Sequence, residues 1–232
     1  MVHLISFGNN KFKRSKIRLK NTCNDIGWFE SVTMFGPEDL DEGFKLEFKD
    51  ILDQRRGAGY WIWKAHLIKK YLTTLNDNDI LIYIDAGFTI NPKGKARFDE
   101  YLKMLEDSNE SIISFQMYLK ENIWTVKEIF NHFGLDPDGP IANSGQILGG
   151  LLIMKKTAHL IKMIDLILET YRTDHMLVTD FYNDHQQIES FRENRHDQSI
   201  FSIIRKLHGS IILRDETTGR NQQSPFRAMR LR

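Results

Sequence analysis

The sequence predicts a single α/β domain in which a mostly parallel central sheet is flanked by helices. Two observations indicate this class: apolar runs of strand length alternate with segments of helical spacing, and 41% of the 232 residues are hydrophobic. Strands that alternate with helices favour a parallel sheet covered on both faces. A chain of this length and composition is able to bury one good core.

The predicted strands are the short apolar runs bounded by polar or glycine residues. They are His3–Phe7, Phe29–Phe35, Ile80–Ile84, Ser111–Phe115, Ile147–Met154 and Ser210–Leu213. Between them, apolar residues recur at the spacing of one helix face. The predicted helices are Lys11–Ile26, Pro37–Leu52, Trp61–Leu75, Ala96–Glu106, Thr125–Phe133, Ala158–Tyr171 and Gln198–Leu207.

The predicted domain covers residues 1–213, and residues 214–232 are a separate case. This last stretch is polar, contains five arginines and shows little periodicity. Such a composition is typical of an exposed segment. We therefore expect a basic C-terminal tail on the surface.

The overall composition excludes several classes of protein. Lys and Arg total 32 against 31 Asp and Glu, so the net charge does not favour a nucleic-acid partner. The single cysteine, Cys23, excludes an intramolecular disulfide and a Cys-based zinc cluster, and it fits a reducing compartment such as the cytoplasm. We expect neither a signal peptide nor a membrane span, because no run reaches the ~18 apolar residues that a span needs.

The segment "YIDAG" places a carboxylate, Asp85, at the end of a predicted core strand. In an open α/β sheet, ligands bind beyond the carboxyl ends of the strands. Burial of a carboxylate is costly unless a partner compensates it. The alternative interpretation is a turn, because Asp-x-Gly is ordinary turn chemistry.

The segment "RRGAGYWIWK" has the residue types of a diphosphate site. Glycines let backbone N–H groups approach a phosphate, a helix N-terminus favours an anion, and arginines such as Arg56 offer forked donors. The alternative is a helix-entry loop with Trp61 and Trp63 in the core.

The segment "RHDQS" offers a candidate general base. Arg195, His196 and Asp197 put a cation, a titratable ring and a carboxylate side by side where a helix is predicted to begin. The alternative is that Asp197 only caps this helix.

Two further segments contain candidates of weaker specificity. In "KENIWTVKE", Glu121 and Lys127 are candidates for a sugar hydroxyl and a phosphate, although exposed charges are often only solvated. In "NSGQILGGLLIMKK", Gln146 leads into an apolar run that contains Gly149 and Gly150. Glycines within a strand mark either a bulge or the close approach of a ligand.

Together, "GYWIWK", "YIDAG", "NSGQILGGLLIMKK" and "RHDQS" resemble a group of GT-A-fold glycosyltransferases found in bacterial surface-polysaccharide clusters and large DNA viruses. The resemblance covers roughly Leu4 to Gly209 and implies a Rossmann-like GT-A domain. It also implies transfer of a sugar from a nucleotide-diphosphate donor, with UDP or GDP, to a glycan or glycoconjugate hydroxyl.

The resemblance implies roles for individual residues. Asp197 and His196 would be catalytic, and Asp85 would bind a metal. The expected donor-binding residues are Phe7, Arg56, Gly57, Tyr60, Lys64, Asp85, Ala86, Gly87, Lys127 and Gln146.

The sequence departs from the family pattern at the metal site. Asp85 stands at the first acidic position of the usual Asp-x-Asp, but Gly87 stands at the second. Mn²⁺ or Mg²⁺ needs about six oxygen ligands, so a single carboxylate should lower affinity for either ion. Nearby cations, Arg55, Arg56 and Lys64, are candidates to neutralise part of the phosphate charge instead.

The window Lys11–Lys20 contains six basic residues and no acid. A solvated helix face is one interpretation, and peripheral contact with anionic lipid is the other.

Two other functions stay open from the sequence. A sugar-nucleotide nucleotidyltransferase shares the α/β layout but requires a glycine-rich first βα loop, which "SFGNNKFKRSK" matches poorly. A carbohydrate-binding module would use Trp61, Trp63 and Trp124 as an exposed stacking platform. Inversion and retention of the sugar's stereochemistry both fit one carboxylate.

Overall fold

The computed structural model describes residues 1–218, 223–229 and 231, and the predicted α/β class is confirmed. The strands are β1 (Val2–Phe7), β2 (Ser31–Phe35), β3 (Ile80–Ile84), β4 (Thr89–Ile90), β5 (Ile112–Lys120), β6 (Gly145–Ile147), β7 (Leu151–Lys155), β8 (Ile211–Arg214) and β9 (Phe226–Arg227). Seven of them form the central sheet, and β4 pairs with β9 in a small second sheet.

The central sheet is mixed. β1 pairs in parallel with β2 and β3, and β5 pairs in parallel with β8. β7 lies antiparallel between β3 and β5, and β6 is antiparallel to β5. Strands β1, β2, β3, β5 and β8 therefore run in one direction, while β6 and β7 run in the other.

The helices flank this sheet. They are α1 (Lys13–Ile26), α2 (Glu42–Glu47), α3 (Lys49–Leu52), α4 (Gly57–Tyr60), α5 (Trp63–Leu72), α6 (Lys95–Asp107), α7 (Lys127–His132), α8 (Pro140–Asn143), α9 (Ala158–Thr173) and α10 (Asp197–His208). Short 3₁₀ turns occur at Asn10–Phe12, Pro37–Asp39, Pro92–Gly94, Glu121–Ile123, His175–Val178 and Asp184–Gln186. Within the described ranges, no helix has the length and apolar character to cross a bilayer.

The core has two halves because strand side chains alternate between the faces of the sheet. Leu81 and Tyr83 of β3 belong to the half covered by α5, α9 and α10. Ile82 and Ile84 belong to the half covered by α1 and α6. Tyr83 therefore points toward α5 and α10, the helices that contain the candidate residues Lys64 and Asp197.

One of the predicted strands is wrong. The predicted strand Ile147–Met154 is two strands, β6 and β7, interrupted at residues 148–150. The interruption lets the backbone of Gly149 bond to α5 and α10: its carbonyl accepts from Lys64 Nζ at 3.0 Å, and its N–H donates to Gln198 Oε1 at 2.9 Å.

The expected surface tail is also corrected for the described residues beyond 213. Phe226 is 1% exposed and packs edge-on against Phe98, with 5.9 Å between ring centroids. Its strand β9 pairs with β4, two residues after the "DAG" turn. An aromatic ring inside this polar stretch supplies enough apolar area to dock the segment. Residues 219–222, 230 and 232 of the predicted tail lie outside the described residues.

Candidate active site

A cavity of about 490 Å³ opens at the carboxyl ends of β1 and β3. This sheet edge is where open α/β sheets bind ligands, and the volume is that of a small-molecule site. Three segments form most of its walls: the β1–α1 loop, the turn that contains α4, and the loop after β3; Leu231 adds a contact from the C-terminal stretch. The lining residues are Phe7, Gly8, Asn9, Lys11, Phe12, Arg55, Arg56, Gly57, Ala58, Trp61, Trp63, Asp85, Ala86, Gly87, Phe88 and Leu231.

One wall of the cavity is a left-handed turn. Every residue from 57 to 61 has a positive φ, and three of them, Ala58, Tyr60 and Trp61, are not glycine. The left-handed helical conformation costs an L-residue about 1–2 kcal/mol. The backbone is held there by bonds such as that from the Tyr60 N–H to the Arg56 carbonyl at 2.7 Å. Strain of this kind is concentrated at ligand-binding and catalytic sites.

The carboxylate of Asp85 faces this cavity from the end of β3. The buried hydroxyl of Tyr83 donates to its Oδ1 at 2.7 Å. Its Oδ2 lies close to Gly150: a Cβ at position 150 would be 2.7 Å from that oxygen, so only glycine fits there. Arg18 fixes the loop that follows, since its Nη2 donates to the carbonyls of Ala86 and Phe88 at 2.9 and 3.0 Å.

Lys64 and Asp197 form a buried ion pair beside this loop. Lys64 Nζ lies 2.5 Å from Asp197 Oδ2. The two residues are 2% and 3% exposed. Burial, with a smaller contribution from the charge of Asp85, raises the pKa of Asp197 to about 6 against the opposing attraction of Lys64. Asp197 is the first residue of α10, and His196 occupies the N-cap position that the alternative interpretation gave to Asp197.

The ring of His196 packs against two aromatic rings. Its ring centroid lies 5.2 Å from that of Tyr60 and 5.3 Å from that of Trp61, and its Nε2 lies 3.0 Å from the Oδ1 acceptor of Asp180. Burial lowers the pKa of His196 to about 4, so the ring is neutral at pH 7. The φ of His196 is 58°, so the residue that precedes Asp197 also has a strained backbone.

Arg56 contacts Asp180, the partner of His196, from the cavity wall. Its guanidinium donates to Asp180 at 3.0 Å and to Glu193 at 3.3 Å. The side chain thus links the left-handed turn to the segment before α10 while it lines the cavity.

Gln146 belongs to a buried network that Gln198 connects to Gly149: the Gln198 amide donates to Gln146 Oε1 at 2.6 Å, and its oxygen accepts from the Gly149 N–H at 2.9 Å. Its amide donates to Glu121 at 2.9 Å, and Lys206 Nζ lies 2.6 Å from the other oxygen of Glu121. Both Gln146 and Glu121 are fully buried. Lys127 begins α7, and its backbone N–H donates to Gln187 at 2.8 Å. The candidate sugar-hydroxyl acceptor Glu121 therefore has its hydrogen bonds satisfied within the protein.

The structure brings together part of the donor set expected from the sequence. The cavity is lined by Phe7, Arg56, Gly57, Asp85, Ala86 and Gly87. Tyr60, Lys64, Lys127 and Gln146 are absent from the lining. The physical reason is that Tyr60 stacks on His196, while the polar atoms of Lys64 and Gln146 are used in buried hydrogen bonds.

Sequence reasoning missed three residues that organise the site. Asp180 lies in an irregular segment with no periodicity to mark it, and Arg18 lies on α1, 68 residues from its partner Ala86. Tyr83 is inside the "YIDAG" segment, and alternation along the strand was the signal that would have placed it on the face of Lys64.

The tryptophans do not form an exposed stacking platform. Trp63 is 3% exposed and stacks on Phe7, with 3.7 Å between ring centroids. Trp61 is half-buried in the cavity wall. Arg195 covers the ring of Trp124 at 4.1 Å. This arrangement disfavours the carbohydrate-binding module.

The donor set at Asp85 does not fit a divalent cation site built by the protein. Among the described residues, no three His, Cys, Asp or Glu side chains converge in a way that would hold a metal ion. Asp85 would contribute one carboxylate, and Oδ1 already accepts from Tyr83. Mn²⁺ and Mg²⁺ prefer about six oxygen ligands, so nearly all of them would have to come from donor and water.

The architecture is that of GT-A-type glycosyltransferases. Mouse xyloside xylosyltransferase 1 is similar to this chain with a TM-score of 0.50 at 11% identity, over 92% of this chain and 85% of that one. At this identity the likeness shows the fold alone.

Two other solved structures are similar at lower scores. One is a glycosyltransferase involved in the glycosylation of the major capsid of PBCV-1, with a TM-score of 0.47 and 13% identity over 94% of this chain and 83% of that one. The other is the galactosyltransferase LgtC, with a TM-score of 0.43 and 10% identity over 91% and 72%. No family model and no curated protein matches the sequence.

Proposed function

We propose that this protein is a glycosyltransferase that transfers a sugar from a nucleotide-diphosphate donor to a hydroxyl of a glycan or glycoconjugate. The observation that supports this most is the composition of the cavity. Aromatic rings and basic side chains surround a single carboxylate, Asp85, at the carboxyl ends of β1 and β3. Aromatic faces suit a base, cations suit phosphates, and a carboxylate suits ribose hydroxyls.

The donor would lie along the cavity with its base near the end of β1. We propose that Phe7 contributes to the base pocket and that Arg56 and Gly57 line the diphosphate region. Ala86 and Gly87 present backbone next to Asp85, which we assign to the ribose of the donor. Lys64 is assigned to Asp197 rather than to phosphate, because its ammonium is already paired and buried.

Asp197 is the proposed carboxylate of the reaction, although it is paired with Lys64, 3% exposed and not among the residues that line the cavity. It would stabilise the positive charge that develops on the donor sugar or take the proton of the acceptor hydroxyl. We propose a positioning role for His196, since its ring is buried against Tyr60 and Trp61 and its pKa is lowered to about 4. A ring of that pKa is a weak base at pH 7.

Finer assignments rest on the resemblance and on composition. We propose UDP or GDP as the nucleotide, a cytosolic location that suits the free thiol of Cys23, and no nucleic-acid partner. Peripheral contact with anionic lipid through Lys11–Lys20 would use the exposed side chains of Lys13, Arg14 and Lys20. Lys16 is not available for it, because its Nζ donates to the Phe35 carbonyl at 3.0 Å.

Donor binding tests this function. Calorimetry with UDP, GDP and their hexose derivatives should show binding to the wild-type protein, and Asp85→Asn should weaken it by roughly tenfold or more without a change in melting temperature. Asp165→Asn is the matched control, because Asp165 is an exposed carboxylate paired with Lys69 on the surface of α9.

Turnover is measured as release of the nucleoside diphosphate in the presence of a hydroxyl acceptor panel. Binding of none of these nucleotides, with or without Mn²⁺, would remove the basis of the proposal. Equal affinities for Asp85→Asn and the wild type would place Asp85 away from the donor.

A further inference from the structure

The charges that line the cavity are unbalanced. Among its described lining residues, the cations are Lys11, Arg55 and Arg56, and the only acid is Asp85. The cavity therefore has an excess of positive charge, which favours an anion. The sequence as a whole is nearly neutral, so this excess is local.

The three cations differ in what they contact. Arg56 is held by Asp180 and Glu193. Lys11 and Arg55 are exposed, and neither side chain forms an ion pair with a described residue. Their charge is therefore available to a ligand. The sequence pattern indicated Arg55 for this role together with Arg56 and Lys64, but it did not indicate Lys11.

Lys11 and Arg55 reach the cavity from different walls. Lys11 lies in the 3₁₀ turn Asn10–Phe12 that follows β1, and Arg55 precedes the left-handed turn at α4. A ligand that spans this cavity from Phe7 to Asp85 would share it with both cations. Guanidinium and ammonium groups are strong donors to phosphate oxygens, and Arg is able to bind them in a forked manner.

The loop after β3 supplies no second acid to hold a cation against the same phosphates. Gly87 stands at that position, and its carbonyl accepts from the N–H of Leu231 at 3.1 Å. A bridging metal ion would bring positive charge to the donor. Lys11 and Arg55, which form no ion pair with a described residue, already supply such charge in this cavity.

We propose that Lys11 and Arg55 bind the two phosphates of the donor, and that the protein binds its donor without a divalent cation. This inference rests on the proposed function and assigns the charge neutralisation at that same site. It predicts affinity that depends on ionic strength and on these two side chains, and that is insensitive to chelation.

The test uses UDP, GDP and the matching nucleosides as probes in equilibrium binding experiments. For wild-type protein, the dissociation constant of the bound diphosphate in EDTA should lie within about tenfold of its value in Mn²⁺. Lys11→Gln and Arg55→Gln should each weaken diphosphate binding by about tenfold or more, the strength of a charge-assisted hydrogen bond, and leave nucleoside binding unchanged. Lys20→Gln, another exposed lysine of the same basic stretch but outside the cavity lining, is the control.

The possible results distinguish this inference from the proposed glycosyltransferase function. Diphosphate binding that Mn²⁺ strengthens by more than about tenfold overturns the inference and leaves the glycosyltransferase proposal standing. The same holds if Lys11→Gln and Arg55→Gln both bind like Lys20→Gln. Absence of nucleotide binding in EDTA and in Mn²⁺ overturns both.

Discussion

Removal of the Lys64 ammonium tests how the site holds its buried carboxylate. Lys64→Met keeps the length and apolar stem of the side chain but removes the charge 2.5 Å from Asp197 Oδ2. A buried charge that loses its partner costs about 3–5 kcal/mol, and we expect a loss of this size at pH 7. Domains are stable by only about 5–15 kcal/mol, so the effect is large enough to measure by urea unfolding.

The loss should shrink as the pH falls. The pKa of Asp197 is raised to about 6 in the folded protein, above its usual value of about 4 in unfolded chains. This carboxyl therefore lowers stability as the pH rises through that window, because the folded state binds the proton more tightly. At pH 5 Asp197 is largely protonated, and its need for the ammonium is smaller.

Two variants control the experiment. Lys69→Met removes a lysine of the same helix whose pair with Asp165 is at the surface, and it should cost at most about 1 kcal/mol. Lys64→Met with Asp197→Asn leaves no unpaired charge and should recover most of the lost stability. A loss for Lys64→Met no larger than that for Lys69→Met, at pH 7 and pH 5 alike, would refute a buried pair.

Three further predictions follow from the same site. Asp197→Asn should lower turnover by about 10²-fold or more relative to the wild type while donor affinity is kept. The neutral double variant, which also lacks this carboxylate, should show the same loss, and normal turnover in either variant would make Asp197 structural. Gly59→Ala should lower the free energy of unfolding by at least about 1–2 kcal/mol, because φ at this position is +98° and a Cβ would lie 2.8 Å from the Leu52 Cα. The control is Gly43→Ala, which has open space around it and should be neutral or stabilising. Equal effects of the two variants would contradict the left-handed turn. The pKa of His196 is lowered to about 4 from 6.5, so the stability that this ring contributes above pH 6.5 is lost as pH falls, by roughly 2 kcal/mol between pH 7 and 5. The raised pKa of Asp197 acts in the opposite direction over the same range. The difference in unfolding free energy between wild type and His196→Gln should therefore change by about 2 kcal/mol between pH 7 and 5, and a constant difference would mean that His196 is not buried as a neutral ring.

The elements of the sheet were predictable because they depend on local periodicity. The predicted strand Ile80–Ile84 matches β3, and the predicted helix Ala158–Tyr171 matches α9 to within two residues. Asp85 was placed at the correct edge by the same reasoning, since a strand-end carboxylate needs only the direction of β3 to be located.

Side-chain partners were not predictable because they join distant parts of the chain. Lys64 and Asp197 are 133 residues apart, and nothing local indicates that they meet. From the sequence, Arg56 was expected to be a phosphate ligand because Gly57 and Gly59 follow it, whereas its partner Asp180 is 124 residues away. Glycines suggested a tight turn at 57–59, but positive φ at Tyr60 and Trp61 has no propensity signal and is imposed by packing.

The glycine pair at the break between β6 and β7 connects the two carboxylates, Asp85 and Asp197, whose charges interact. The Gly150 carbonyl accepts from the N–H of Asp85 at 2.9 Å, which fixes the end of β3. The Gly149 carbonyl accepts from Lys64 Nζ at 3.0 Å, which fixes the counter-ion of Asp197. A Cβ at either position would come within 2.8 Å of a neighbour, Gln198 Cβ or Asp85 Oδ2. Only glycine therefore fits at these two positions, and the backbone of the pair joins the cavity carboxylate to the counter-ion of the buried one.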